Sequence, residues 1–178
     1  MKISEKPIGR DELDSILVCA QEAADWLEID LPDGPATMEP TPAAIVAAID
    51  QRVFELQKQQ TDDHEHGDHP ELEVPDNEEA ALLLASLWGQ QLVRQFDWQW
   101  ASVVFHDHDN AHAFGVFSPD RSLAIYPFHF VFSCLEDLAP VTILLAFNIL
   151  KDGSRIPPLP KQGYENVMDN VHHVVPRQ

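Results

Sequence analysis

Cysteine is scarce: the 178-residue chain has two, Cys19 and Cys134. They lie far apart on segments of helical pattern, with no CxxC and no even framework of spacings. A disulfide-stapled scaffold and a cysteine-rich metal module are thereby set aside, and both residues are expected as buried thiols. Long hydrophobic runs are missing too. The most apolar stretch, Val141 to Leu150, is about half of what a bilayer requires, and the N-terminal MKISEKPIGRDELD has no apolar signal-peptide core. Membrane association is not expected, and a reducing cytoplasm is the natural compartment. Positive charge is the third shortage, with 11 Lys and Arg against 30 Asp and Glu and a net charge of −19. Such a field repels phosphate backbones and anionic lipid, so no direct nucleic-acid binding is expected, whereas basic surfaces are attracted. Also lacking are GxxxxGK[ST], GxGxxG, GxSxG and HExxH, together with the chemistries those motifs support. No internal repeat is present.

What is present is a chain with ordinary apolar content, 44%, nine Phe and four Trp, enough for one packed core of a single domain spanning residues 1–178. The acidity is lopsided. Residues 1–80 hold 21 acids against 5 Lys and Arg, and residues 81–178 hold 9 against 6. Two readings stay open: the acids keep the protein in solution, or they form a face for a basic protein partner.

Along the chain, Leu13, Ile16, Leu17, Ala20, Ala24 and Leu27 recur at three- and four-residue steps and predict a helix over 11–28. A Pro-rich break follows. Thr41-Pro42 then offers a cap and first-turn proline for a second helix to about residue 60, so 11–60 reads as an antiparallel helical pair. The acidic, His-rich run TDDHEHGDHPELEVP, 61–75, reads as a solvated loop. Asp76 with Glu79 marks a new helix start, with apolar periodicity to residue 96. Three β-patterned runs, 98–105, 112–117 and 122–126, are joined by turns too short for parallel crossovers. Two apolar helical segments, 128–138 and 141–151, complete a core over 76–151, and the Pro-rich 152–178 reads as an extended strap or tail. The expected fold is α+β: a three-stranded antiparallel meander packed against flanking helices, with the N-terminal helical pair alongside.

The stretch LLASLWGQQLVRQFDWQWASVV, followed by HAFGVFSPDRSLAIYPFHFVFSCL, resembles an uncharacterised bacterial domain family of unknown function. The matching positions are Leu87, Trp88, Gly89, Leu92, Trp98 or Trp100, and Tyr126 with Pro127, within about residues 78–150. These are packing residues, so the resemblance implies a fold and no chemistry. In size and charge the chain is also similar to small bacterial immunity and adaptor proteins, in which an acidic face meets a basic partner.

Four sets of residues could carry function. His64, His66 and His69, with Asp62, Asp63, Glu65 and Asp68, have the donor types for Zn²⁺ or another divalent metal but no apolar anchors to hold them. His106, His108 and His112, with Asp107 and Asp109, are the more specific candidate. Alternation would place His106 and His108 on one strand face, and a short hairpin would return His112 beside them. Trp98 and Trp100 share a face, which is core if helices cover it and an aromatic binding surface if they do not. His129, among Phe128, Phe130 and Phe132, is expected in or near the core, and His172 and His173 lie in the tail. No nucleophile, base and orienting acid assemble. The leading expectation is therefore a non-enzymatic acidic module that binds a basic protein and needs no cofactor, with a metal protein built on the hairpin histidines as the alternative.

Overall fold

The computed structural model describes residues 2–63 and 75–174. Among them are six helices and one five-stranded sheet. Strand β1 (Ile3–Pro7) precedes helices α1 (Arg10–Trp26), α2 (Pro42–Asp63) and α3 (Asn77–Phe96). Strands β2 (Gln99–Phe105), β3 (Ala111–Phe117) and β4 (Leu123–Ile125) come next, then α4 (Pro127–Glu136), α5 (Ile143–Asp152), β5 (Glu165–Asn166) and α6 (Val167–Val174). The α+β class is as expected, and the helix boundaries fall close to those read from periodicity and caps. Asp76 accepts a hydrogen bond from the Glu79 N–H at 2.9 Å, and Pro127 opens α4.

The sheet has five strands rather than three, in the order β1-β2-β3-β4-β5. The meander β2-β3-β4 forms its antiparallel centre; β1 adds antiparallel to β2, and β5 adds parallel to β4. Neither outer strand has a strong β-pattern of its own. β1, ISEKP, is short, polar and closed by Pro7, a composition suited to a sheet edge and dependent on its neighbour for hydrogen bonds. β5 has two residues and is held by backbone bonds from Tyr164 N–H to Arg121 O and from Glu165 N–H to Ser122 O, both 2.9 Å.

The C-terminal segment is accordingly not all strap or tail. Residues 154–164 are extended or turning, but α6 then buries Val167, Met168 and Val171. A helix of eight residues is too short for periodicity to announce it. His172 and His173 fall within α6.

α3 is the central helix. It buries Leu84, Leu87, Trp88 and Leu92 completely, and α1, α2 and α4 all pack on it. The N-terminal helices thus do not pack chiefly on each other as the expected pair would: α1 takes α3 as its main neighbour, and α2 packs equally on α3 and α5, with Arg52 reaching over the Trp26 ring at 5.2 Å. α5 sits on α2, and Asp50 of α2 accepts a hydrogen bond from Leu144 N–H at 2.9 Å, supplying the helix-start acceptor that Thr142 does not.

The sheet has two different faces. Trp100, Val116 and Ile125 enter the large core shared with the helices. Ala101, Val103, Phe117, Ala124 and Tyr126 form a second, smaller cluster on the other side, with Phe105 and Tyr164 packed against it. Phe117 meets Tyr126 and Tyr164 edge-on, each at 5.8 Å between centroids. Cys134 is buried as expected, while Cys19 is only half-buried on α1; both thiols are free.

Candidate functional site

The hairpin histidines do not converge. β2 ends at Phe105, which pairs with Ala111, so residues 106–110 form the turn and strand alternation no longer applies to them. Asp109 and Asn110 take left-handed backbone, with φ of 50° and 55°, which reverses the chain. His106 is engaged locally: Nε2 lies 2.6 Å from Ser4 Oγ and Nδ1 lies 2.8 Å from Asn110 Oδ1. His108 packs edge-on against Phe105, a residue of the outer cluster, whereas His112 stands opposite Val104, on the same side as Trp100. His108 and His112 therefore leave the hairpin on opposite sides. Asp107 accepts the Lys2 backbone N–H at 2.6 Å, fastening the N-terminus to the turn. The hairpin is a polar tip that anchors β1. Among the described residues no three His, Cys, Asp or Glu side chains gather where they could hold one ion. His64, His66 and His69, with Glu65 and Asp68, lie outside the described residues, as do the side chains of Asp62 and Asp63.

The Trp98 and Trp100 face is covered. The two side chains are 5% and 7% exposed, with Trp98 against Phe96 and Trp100 between Gly89 of α3 and Phe128 of α4. They are core residues, and the aromatic-surface reading does not hold for them. His129, in contrast, is exposed. α4 turns Val131, Cys134 and Leu135 inward, which leaves the stripe of His129 and Phe132, three residues apart, facing out.

That outward stripe forms one wall of a groove of about 650 Å³ between α4 and the first turns of α3. Its apolar surface comes from Leu82, Phe128 and Phe132, of which Leu82 and Phe132 are 45% and 41% exposed. Its rim carries Asp76, Glu78 and Glu79, and among the described residues no Lys or Arg lines it. The walls are pinned together at one end by Asn77, whose Nδ2 donates to Glu136 Oε1 at 2.8 Å while its Oδ1 accepts from Gln60 Nε2 at 2.6 Å. An apolar trough edged by carboxylates, on two packed helices, can take a segment with apolar side chains on one face and cations beside them. The acids of this rim were visible in the sequence as the start of α3. The exposure of Leu82 and Phe132 was not, because each sits in an apolar run that reads as core.

A second polar constellation lies on the outer sheet face. Arg121 forms a bidentate pair with Glu5, with Nη2 to Oε1 at 2.8 Å and Nε to Oε2 at 3.0 Å, and Tyr164 donates its hydroxyl to Glu5 Oε2 at 2.9 Å. Burial pushes the Glu5 carboxyl up, but the hydrogen bonds from Arg121 and Tyr164 and the guanidinium charge outweigh it and leave the carboxyl below its ordinary range. Arg121 also donates to Ser118 O at 3.0 Å and Gln99 Oε1 at 3.2 Å, so the cluster clamps β1 to the β3–β4 turn and the C-terminal segment. Its role is structural.

No family model, curated protein or solved structure matches this chain. Among the described residues no helix is long and apolar enough to cross a membrane.

Proposed function

We propose that this protein is a non-enzymatic interaction module whose α3–α4 groove receives a basic amphipathic segment of a partner protein. The observation that carries the reading is the groove itself: exposed Leu82 and Phe132 beside Asp76, Glu78 and Glu79, with no Lys or Arg among the described lining residues. Exposed apolar side chains in a trough supply the affinity on docking, while the carboxylates steer basic partners and repel acidic ones. The excess of acids over residues 1–80 extends the attractive field well beyond the rim. In size and charge such a module is comparable to immunity and adaptor proteins.

The test uses a fluorescent helical peptide with Leu on one face and Lys on the other, and a twin with Glu in place of each Lys. Saturable binding of the Lys peptide alone is expected, weakening with salt, with Phe132→Ser and with the double change Glu78→Gln, Glu79→Gln. Both Glu78 and Glu79 are exposed, so the double variant tests charge without touching the core. Equal binding of both peptides, or indifference to all three changes, sinks the reading.

A further inference from the structure

The more enclosed cavity lies at the opposite end of the chain and has a different chemistry. It has a volume of about 390 Å³ and is walled by Leu123 of β4, Ile149 and Leu150 of α5, Ile156 of the connecting strap, and Val167 and Val171 of α6. This size lies within the range of small-molecule pockets, roughly 300–1,000 Å³, and the walls come from packed elements as well as from the strap. Two charged residues reach it: Arg155 from the strap and Glu165 from β5.

We propose that this cavity binds an aliphatic carboxylate, with the hydrocarbon chain inside and the head group on Arg155. The apolar walls select a chain without polar groups, since an unpaired polar atom placed there would lose its water without compensation. Arg155 selects the head. Its side chain is 54% exposed, and its one described ion pair, to Asp152 of the preceding turn, is stretched to 4.0 Å. An exposed pair of that length contributes little, so exchanging Asp152 for an incoming carboxylate that the guanidinium can grip in a bidentate fashion is favourable. Glu165 opposes an anion from the other side of the cavity, so it limits the affinity without removing the preference set by Arg155. The cavity's lining also comes wholly from residues 81–178, the half with 9 acids against 6 Lys and Arg, so its own elements carry little of the chain's excess negative charge. Beyond the wall residues the strap is tied back to the β3–β4 turn by the bond from Gln162 N–H to Asp120 O at 3.0 Å, which holds its far end beside β4.

The experiment is calorimetric titration of the full chain with sodium octanoate, with acetate and octylammonium chloride as controls, alongside methyl-resolved NMR. Saturable octanoate binding is expected, with shifts at the Leu123, Ile149 and Val171 methyls and none at Leu82. Acetate, lacking the chain, does not saturate. Arg155→Gln weakens octanoate by about tenfold, the usual scale for losing one charge-assisted pair at a partly exposed site. Glu165→Gln, which removes the opposing charge, tightens it. Absence of saturable octanoate binding overturns the proposal. So does equal or tighter binding of octylammonium, which would put the head group on Glu165, and so do shifts centred on Leu82. None of these outcomes depends on the α3–α4 groove, so the two proposals fail separately.

Discussion

The indole of Trp100 occupies the space that a Cβ on Gly89 would need. A Cβ built there collides with Cζ2 and Cη2 of the ring, and the indole, 7% exposed and packed against Phe128 at 5.6 Å between centroids, has little room to move. α3 and β2 approach this closely only because position 89 has no side chain.

Gly89→Ala therefore sets two effects against each other. Alanine favours the helix by about 1 kcal/mol over glycine, whereas forcing a methyl into a filled core costs on the order of 1–3 kcal/mol, and more where a ring has no exit. The collision wins, and a net loss of stability is expected in urea unfolding. Adding Trp100→Leu should recover part of it. A Gly89→Ala protein as stable as the parent would show that the helix and strand are further apart than described.

Arg94 bonds four backbone carbonyls of the loop between α1 and α2: Gly34 at 3.3 Å, Pro40 at 3.1 Å, Pro35 at 2.9 Å and Met38 at 3.0 Å. A lysine keeps the charge but cannot reach four acceptors in a planar fan. Arg94→Lys should cost roughly 1.5–3 kcal/mol, the scale for hydrogen bonds to a charged group, and should expose the loop to protease before the rest of the chain. Unchanged cleavage at residues 31–40 would contradict the clamp.

The Glu5 cluster gives a pH signature with a definite sign. Its carboxyl lies below the ordinary value of 4.5, so its contribution to stability is complete above that value and is lost as pH falls through the lower folded value. The stability gap between the parent and Glu5→Gln should be constant at neutral pH and close in acid. A gap that widens in acid would reverse the assignment.

Both tyrosines of the chain lie in the same region, and both hydroxyls are pushed up. Burial raises Tyr126 to about 12, with the charges of Tyr164, Asp169 and Glu5 adding to it; for Tyr164 burial acts first and the bond to Glu5 next. Absorbance titration should show less than half of the tyrosine ionised at pH 10, the ordinary midpoint, with Tyr126 the later of the two to ionise. Because the folded state holds these protons, their contribution to stability is intact below that pH and declines above it. Half-ionisation at pH 10 would rule out the buried cluster.

The two thiols should separate by rate. Cys134 is buried and pushed to about 12 by burial and then by the Asp50 charge, while Cys19 is half-buried and raised by burial and Glu22. A chromogenic disulfide at pH 8 should label Cys19 slowly and Cys134 only on unfolding. Prompt labelling of both would place Cys134 at the surface.

Local chemistry in the sequence was enough for most of the individual elements. The three- and four-residue apolar spacing, with Thr41-Pro42 and Asp76 as helix starts, determined α1 to α4 closely, because these signals act within a few residues of where they are read. The lopsided charge and the missing catalytic motifs were equally legible. What only the tertiary structure decided depends on contacts between residues distant along the chain. β1 and β5 become strands through the neighbours they meet, and the Glu5–Arg121 pair joins positions 116 residues apart. Pattern likewise could not say that α1 packs on α3 while α2 lies against both α3 and α5, that His108 and His112 leave the hairpin on opposite sides, or which apolar residues stay outside. Leu82 and Phe132 have the composition of core, and the packing of α3 on α4 is what turns them into the floor of a groove. Periodicity shows which face of a helix is apolar, but only the assembled neighbours determine how much of that face is covered.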